Sequence, residues 1–503
     1  MKSITRLLAL CLAAVMLTPL ACALAGEDGY SSTYTYNYDF WNEMHESPDA
    51  YRVDQVIYST TLGLETAMRR PQSLFVQGED LYVVDTGNNR ILHLTRKNGE
   101  FSLVRIIESV KGASPETFSS PSDVFVDVSG NIYVADANNN RVIMMDKNLR
   151  YIRSYVKPND STFDQNLSFL PNKIVVDSSG RVFVLASNVN KGLVKYEADG
   201  TFTGFIGANT VSYNLWDYIW KTFFTTKEQR SQQAAFVPTE YENIAIDADG
   251  FIYATNTVFS EYDLEYDVAK PIRRLNSIGN DILIKNDKWP PIGDRQWVEG
   301  SQDYGPSKFK DITVMNNDIY IAVDRTRGRL FGYDPQGIML WAFGTKGNSE
   351  GAFMSAVSLE HMGTDLLVLD ESDSSITVFK TTEYGDLIYR ANEEYLKGDY
   401  ETSADTWREV LKLNANYNLA FVGIGRSLMR QEQYGEALKY FKMAHDRENY
   451  GRAYRYYRKE LVEKNIGWAV GIIVALLVVL FIVKATKKVK TEVEVHEQRK
   501  IKA

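Results

Sequence analysis

The chain changes its hydrophobic period once, near residue 385. Before that point, apolar residues alternate with polar ones in short runs, and each run ends at a turn marked by Gly, Asp or Asn. A period of two residues is typical of half-buried β-strands. After Gly385 the period becomes that of an amphipathic helix. The sequence therefore predicts a β region followed by a shorter α region.

The β region contains six similar stretches. PSDVFVDVSGNIYVADANNNRVIMMD at 121–146 matches stretches at 71–94 and 171–196, and weaker copies begin at 241, 309 and 356. Each copy reads as a strand, a tight turn, a second strand and a third, and an outer strand follows most copies. Six units of four strands predict a six-bladed β-propeller. We expect 51–60 to supply the outer strand that closes the ring, while 34–41 is either a further edge strand or a flexible arm.

A polar signature recurs at the turn into the third strand. Its members are Asp85, Asn88 and Arg90 in the first copy, Asp136, Asn139 and Arg141 in the second, and Asp324 and Arg329 in the fifth. Over roughly residues 50–380 these units resemble the NHL repeat family of propellers. We interpret the signature as framework, in which Asp accepts backbone N–H groups and Arg ties neighbouring blades. The recurring Asp-x-x-Gly segments are interpreted as hairpin turns rather than metal loops.

The resemblance also implies a catalytic alternative. Some propellers related to this family are lyases, and similar six-bladed rings are lactonases that use a metal in the central channel. Within residues 26–465, however, the only histidines are His45, His93, His361 and His445, and no HExxH or GxSxG motif occurs. We therefore assign no catalytic residue and expect no cofactor. A calcium site stays open, because Asp and Asn ligands from different blades leave no spacing signature.

Two insertions between copies carry tryptophans. NLWDYIWKTFFTTKEQR at 214–230 has helical spacing with Trp216 and Trp220 on one face, and NDKWPPIGDRQWVEG at 286–300 contributes Trp289 and Trp297. Aromatic faces of this kind stack on sugar rings or bury into a partner protein, although packing as a cap on the propeller is the other interpretation. These four tryptophans are the candidate binding residues for a membrane protein or a cell-surface glycan.

The helical region has a repeat of its own. Within 387–446, the residues Tyr400, Ser403 and Trp407 recur 34 positions later as Tyr434, Ala437 and Phe441. The spacing resembles tetratricopeptide repeats, whose helix pairs stack through a small residue and an aromatic one. That resemblance implies a peptide-binding or protein-binding adaptor, and a simple spacer is the alternative.

Both ends of the chain carry apolar runs. Residues 1–25 contain Lys2 and Arg6 and end in Ala23-Leu24-Ala25, which is typical of a cleaved signal peptide. An uncharged run at 466–483 is long enough to span a membrane, and the net +4 tail beyond it predicts a cytoplasmic C-terminus and an extracytoplasmic N-terminal part. The segment 26–465 carries net charge −15, which excludes a nucleic-acid partner.

The predicted organisation has six parts. They are a signal peptide (1–25), an N-terminal arm (26–50), an NHL-type propeller (51–382), a tetratricopeptide-like helical domain (384–465), a single-pass transmembrane helix (466–483) and a basic tail (484–503). The fold class is an all-β propeller plus a small all-α domain and one membrane helix. The sequence favours a membrane-anchored, extracytoplasmic recognition or scaffold protein without catalytic activity. The alternative is a metal-dependent lactonase or lyase acting in the channel.

Overall fold

The structure is a computed structural model that describes residues 34–39, 41, 43–187, 189, 191–207, 241–260, 263–264, 268–285, 290–294 and 305–501. The chain divides into two compact units. The first comprises the residues up to Tyr38 together with 42–389, and the second comprises 39–41 together with the chain from Arg390 onward. The predicted signal peptide lies outside the described residues.

The first unit is a ring of antiparallel sheets. Three strands, β1 (Tyr36–Tyr38), β2 (Met44–Glu46) and β3 (Tyr51–Ile57), join sheets whose other strands come later in the chain. Blade 1 contains β4 (Ser73–Gln77), β5 (Asp80–Asp85), β6 (Arg90–Lys97) and β7 (Glu100–Ile107). Blade 2 contains β8 (Pro121–Val126), β9 (Ile132–Asp136), β10 (Arg141–Met145) and β11 (Tyr151–Val156). A single 3₁₀ turn links the second and third strands of each, at Thr86–Asn88 and Ala137–Asn139.

The next three blades continue in chain order. Blade 3 contains β12 (Leu170–Val176), β13 (Val182–Ser187), β14 (Leu193–Tyr196) and β15 (Phe202–Ile206), and the described part of blade 4 contains β16 (Tyr241–Ile246), β17 (Ile252–Asn256) and β18 (Ile272–Leu275). Blade 5 contains β19 (Phe309–Val314), β20 (Tyr320–Asp324), β21 (Arg329–Tyr333) and β22 (Met339–Phe343). A short parallel pair follows it, β23 (Thr345–Lys346) and β24 (Ala352–Phe353).

Blade 6 closes the ring. Its strands β25 (Ala356–Met362), β26 (Asp365–Asp370) and β27 (Ser375–Thr381) are completed by β3, which pairs with β27 from Ile376↔Ile57 to Thr381↔Tyr51. The inner strands contact their neighbours in sequence, and β25 of blade 6 contacts β4 of blade 1. The six-bladed propeller and its N-terminal closing strand are therefore confirmed.

The N-terminal arm adds an edge strand to blade 5. Strand β1 pairs with β22 at Tyr36↔Ala342, and β2 pairs in turn with β1, so this sheet has six strands. Of the two interpretations of 34–41, the edge strand is the one that the structure adopts for residues 36–38. The hairpin covers a strand edge that would otherwise present unpaired backbone groups.

The core of the ring lies between the blades. Because each sheet packs against a neighbour on both faces, the central strands are buried on both sides and are almost wholly apolar. Between blades 6 and 1, for example, Leu81, Val83 and Leu92 pack with Leu367 and Leu369, and all five are fully buried. The alternation of polar and apolar residues that predicted the strands matches the burial of the outer strands best. In β7, for example, exposed and part-buried residues alternate.

Five helices follow the ring: α1 (Glu383–Lys397), α2 (Tyr400–Leu413), α3 (Asn418–Arg430), α4 (Tyr434–Met443) and α5 (Arg447–Ile501). The Asp399 carboxylate caps α2 by accepting a hydrogen bond from Thr402 N. Helices α2, α3 and α4 pack closely through glycines, since a Cβ at Gly423 would lie 2.4 Å from the Trp407 indole. A helical region is confirmed here, and its tetratricopeptide character stays a prediction.

Helix α5 is long and apolar enough to cross a membrane. Its central side chains, from Ile466 to Val483, are exposed in the structure, as expected for residues that face lipid rather than a protein core. Length and composition support one membrane-crossing helix at the C-terminal end. The side of the membrane on which the propeller lies remains a prediction from the positive tail.

Candidate functional site

The Asp–Asn–Arg signature forms a buried tie in blade 2. Asp136 Oδ1 accepts a hydrogen bond from Ser119 N (2.8 Å), and its Oδ2 accepts from Arg141 Nε (2.9 Å) and Asn139 Nδ2 (2.8 Å). The Arg141 guanidinium also donates to Pro115 O at 2.7 Å. The carboxylate therefore holds the turn into the third strand against the segment that enters the blade, and no polar atom of the pair is left over to bind a ligand.

Blade 1 repeats this geometry. Asp85 accepts from Arg69 N (2.8 Å), Arg90 Nε (2.7 Å) and Asn88 Nδ2 (2.8 Å), and Arg90 Nη2 donates to Thr66 O at 2.6 Å. The arginine thus joins its own blade to the connection that arrives from blade 6. These contacts are the kind that the framework interpretation requires.

Blade 5 departs from the pattern. Asp324 and Arg329 are opposite each other in the sheet register, but their side chains do not pair. Asp324 accepts instead from Lys308 N (2.8 Å) and Thr326 N (2.9 Å). The Arg329 guanidinium binds Asp294, whose Oδ1 accepts from the hydroxyl groups of Tyr36 and Tyr38, each at 2.7 Å. Arg329 therefore binds Asp294 in the preceding insertion instead of Asp324, and Asp294 in turn holds β1 through the two tyrosines.

A ring of polar residues lies around the propeller axis. One residue near the start of each inner strand contributes to it: Ser73, Asp123, Lys173, Asn243, Asp311 and Ser358. In five of the six inner strands a register shift just before this residue turns it inward. Lys173 Nζ of blade 3 donates to Ser73 Oγ of blade 1 at 2.9 Å, so side chains from blades that are not adjacent meet near the axis.

The two aspartates of this ring are satisfied by neighbouring blades. Asp123 accepts from Ser73 Oγ (2.5 Å) and Ile174 N (2.8 Å) and forms an ion pair with Lys173 at 3.5 Å. On the opposite side, Asp311 accepts from Asn243 Nδ2, from Ser358 Oγ (2.8 Å) and from Leu359 N (2.8 Å).

Burial raises the pKa of Asp311, and the positive charge of Lys173 opposes this rise. The ring therefore contains two carboxyl groups and one ammonium group, and each carboxyl group already has several donors.

A second polar cluster lies further along the inner strands of blades 5 and 6. Thr313 Oγ1 lies 2.8 Å from His361 Nδ1 and 3.2 Å from Glu360 Oε2. Burial, and then the nearby charge of Asp311, raises the pKa of Glu360 to about 8. Burial lowers the pKa of His361 to about 4. Near neutral pH the cluster therefore holds a largely protonated carboxyl group beside a neutral imidazole, which is a pairing found at catalytic sites and also in buried structural networks.

The Asp-x-x-Gly segments are hairpin turns. Asp127 Oδ1 accepts from Ser129 N and Asn131 N, and Asp177 Oδ1 accepts from Ser179 N and Arg181 N, all at 2.8 to 2.9 Å. Each carboxylate closes its own turn, as Asp side chains commonly do. The second oxygen of each carboxylate binds side-chain donors of its own hairpin, Asn131 Nδ2 in one turn and Arg181 Nε in the other.

The candidate binding residues Trp216, Trp220, Trp289 and Trp297 all lie outside the described residues. The inner ring, by contrast, is fully described and was missed by the reasoning from sequence. Its signal is present in the copies, since a polar residue stands two places after Pro71, Pro121 and Pro171 alike. A comparison of that single column across the six copies would have found it.

Comparison with known protein families identifies the class of protein. Residues 118–143 match the NHL repeat. This segment runs from the connection before blade 2 to its third strand and includes the Asp136–Arg141 tie. The chain is a six-bladed β-propeller protein that contains an NHL repeat, followed by a helical region with one helix able to span a membrane.

The sequences of individual relatives match part of this chain. NHL repeat-containing protein 3 of Mus musculus is 25% identical over 141 residues, which cover 26% of this chain and 40% of that protein. Its Homo sapiens counterpart is 26% identical over 129 residues, which cover 24% of this chain and 36% of that protein. The match thus spans less than half the length of these relatives. Among solved structures, virginiamycin B lyase from Staphylococcus aureus is 12% identical to this chain, with a TM-score of 0.38. The match covers 70% of this chain and 89% of the lyase, and it describes the fold alone.

Proposed function

We propose that this chain is a recognition or scaffold protein anchored in a membrane by α5. Its propeller lies on the extracytoplasmic side and binds a membrane protein or a cell-surface glycan without catalysing a reaction. The tryptophan-bearing insertions supply the binding surface, and the helical region, with tetratricopeptide-like stacking, supplies an adaptor surface or a spacer.

The observation that carries this proposal is the position of Lys173. Its ammonium group contacts Ser73 and Asp123 near the axis, in the channel where the resemblance to metal-dependent lactonases implies a divalent cation. Lysine provides a positive charge beside the carboxylates, whose hydrogen bonds come from neighbouring serine, asparagine and backbone groups. The ring then serves to join the inner strands, and recognition is left to the loops that the ring carries.

Elemental analysis of the purified full-length protein tests the non-catalytic part. We expect less than one equivalent of calcium or zinc per chain, and no change on replacing Asp123→Asn together with Asp311→Asn. A stoichiometric metal that this double variant loses would contradict the proposal. Because the variant removes two buried carboxylates, its circular dichroism spectrum must first match that of the original chain.

The binding part is tested on the insertions. Replacing Trp216→Ala and Trp220→Ala is expected to weaken binding to a glycan array, or photo-crosslinking to neighbouring membrane proteins, by tenfold or more, since roughly 2 kcal/mol or more is lost at an aromatic hot spot. Tyr151→Ala, at an exposed aromatic residue of β11, is the matched control. Unchanged binding in the double tryptophan variant would rule out this surface.

The second candidate is a hydrolase or lyase acting in the channel. It is favoured by the Thr313–Glu360–His361 cluster, where a carboxyl group with a pKa of about 8 could act as a general acid. A panel of lactones is the direct assay. Hydrolysis that Glu360→Gln abolishes, while Glu100→Gln on the exposed strand β7 leaves it intact, would replace the scaffold proposal with this one.

A further inference from the structure

A cavity of about 430 Å³ opens beside blade 6. Three segments form its walls: the end of β3 with Tyr58, the loop from Gly347 to Met354, and the turn that links β26 to β27. The volume is within the range of small-molecule sites, roughly 300–1,000 Å³. None of these segments belongs to the axial ring or to the tryptophan insertions.

The loop that forms one wall is held in place by backbone contacts. Gly347 N donates to Phe353 O at 3.2 Å, and Ala352 N donates to Ser349 O at 2.9 Å. The strand pair β23 and β24 rests directly on blade 5, because a Cβ at Gly328 would lie 2.8 Å from Thr345 O. Gly328 also has φ +64°, where only glycine is unstrained. These contacts give this wall of the cavity a defined backbone conformation.

The polar side chains around the cavity differ in what they already bind. Asp370 is occupied, since it accepts from Met354 N at 2.7 Å and from Ser372 N at 2.8 Å. Among the described residues, the side chains of Asn348 and Glu350 have no hydrogen-bond partner, and both are exposed at the rim. These two groups therefore have donors and acceptors to spare for a ligand.

Tyr58 provides an aromatic face at the same rim. Its ring is 42% exposed, and its hydroxyl group lies near the carboxylate of Asp373. Burial and this carboxylate raise the pKa of Tyr58, so the phenol stays a neutral hydrogen-bond donor. An exposed aromatic ring beside free carboxylate and amide groups matches the two needs of a sugar ring, which has hydroxyl groups at its edge and C–H groups on its face.

We propose that this cavity is a sugar-binding site in which Tyr58 packs against the ring and Asn348, Glu350 and Asp373 bind its hydroxyl groups. The proposal rests on the recognition function proposed above and identifies a glycan as one ligand. A metal ion fits less well, because the carboxylates around the cavity do not bring three ligand atoms together, unlike another group of described residues. A calcium ion takes six to eight oxygen ligands.

Saturation-transfer NMR on the full-length chain tests the site. The protein is kept in a detergent without a sugar headgroup, and the probes are glucose, galactose, xylose and N-acetylglucosamine. We expect saturation transfer to at least one of them. Tyr58→Ala and Glu350→Gln are each expected to reduce its affinity about tenfold or more, the effect of losing a stacking contact or a charged hydrogen bond.

Tyr151→Ala and Glu100→Gln are the matched controls, since Tyr151 is 41% exposed and neither residue lines the cavity. Absence of transfer to all four sugars, or affinities unchanged in both cavity variants, would overturn the proposal. Calcium binding that Glu350→Gln removes, without sugar binding, would also overturn it and make the cavity a cation site. If the sugars fail while partner binding through Trp216 and Trp220 persists, only the cavity proposal is lost.

Discussion

Blades 2 and 5 carry the same Asp and Arg in sequence, and they use them differently. In blade 2, Arg141 pairs with Asp136 inside one repeat. In blade 5, Arg329 leaves its repeat partner and binds Asp294, which lies in the insertion before the blade. The first arrangement holds a blade together, whereas the second holds the N-terminal strand β1 to the blade through Tyr36 and Tyr38.

The difference shows how a repeat acquires a new contact without losing its fold. Asp324 keeps the backbone donor Lys308 N, which corresponds to Ser119 N in blade 2. In place of Arg329 it has Thr326 N and Ser307 Oγ as donors, and Arg327 Nη1 lies 3.7 Å from its carboxylate. Once the carboxylate is satisfied, the arginine can take another partner at no loss to the turn. The signature is therefore a set of donors and acceptors that the surrounding chain can exchange, rather than a fixed pair.

The largest effect is expected from breaking the tie of blade 2. Asp136→Ala leaves the buried Arg141 guanidinium without its carboxylate and should lower the free energy of unfolding by about 3–5 kcal/mol. Urea denaturation of the full-length chain, followed by tryptophan fluorescence, measures the loss. Glu100→Ala, on the solvent side of β7, serves as the control. A loss no larger than that of the control would contradict the structural role of the tie.

Removing the arginine of blade 5 should act on a different part of the molecule. Arg329→Met is expected to cost about 2–3 kcal/mol, because Asp294 keeps its two tyrosine donors but loses its cation. Hydrogen exchange should accelerate at residues 36–38, where β1 pairs with β22. Arg141→Met, the matching change in blade 2, should leave exchange in β1 unchanged. Equal exchange in both variants would erase the distinction between the blades.

The inner strands of blades 2 and 5 also differ. Phe125 of β8 occupies the position that Thr313 has in β19, and the Thr313 hydroxyl group contacts Glu360. The raised pKa of Glu360 means that the folded chain binds a proton that the unfolded chain releases above its ordinary carboxyl pKa. Stability therefore falls as pH rises toward 8. The lowered pKa of His361 has the opposite effect, with stability lost as pH falls from about 6.5 to 4.

Between pH 6.5 and 8 the contribution of Glu360 is isolated by comparing two chains, because His361 and Lys308, whose pKa burial lowers to about 8, titrate in both. In the original chain the free energy of unfolding should fall by at most about 2 kcal/mol across this window, and Glu360→Gln should abolish this fall. Denaturation series at pH 6.5, 7.25 and 8 give the two slopes. Identical slopes would mean that Glu360 is ionised in the folded protein throughout this range.

The smallest expected effect is that of a single hydroxyl group. Tyr38→Phe removes one of the donors to Asp294 and should lower stability by about 1 kcal/mol. Tyr151→Phe, an exposed tyrosine of blade 2, should change nothing. A Tyr38→Phe chain as stable as the original would show that the Tyr38 hydroxyl group adds nothing to the contacts by which Tyr36 and Arg329 hold the arm.

Much of the ring could be predicted because each blade repeats the same local pattern. The turn after Asp127, the strands on both sides of it and the outer strand supplied by 51–57 are all encoded within short segments. The choice of blade 5 as the partner of β1 is different. It depends on Asp294, whose position relative to Arg329 follows from the fold and not from spacing within a repeat.

The site was harder to predict than the fold. The axial ring occupies one column of the repeats, but its members differ in each copy, so no motif connects Lys173 with Ser73 or Asp123. The cavity beside blade 6 is formed by three segments that no periodicity joins. Polar groups that the fold brings together from distant parts of a chain can be recognised as a site only in the three-dimensional structure.

The closing strand also has a consequence for the order of folding. Asp54 on β3 binds Lys380 on β27 across 326 positions of sequence, so this contact forms only after nearly the whole propeller has been synthesised. Blades 1 to 3 complete their sheets with local hairpins, but the last blade must wait for a strand made at the start. Non-local pairing of this kind is the slow step in many β proteins. Until β3 docks, β27 is an open edge, and the chain is most exposed to aggregation during that interval.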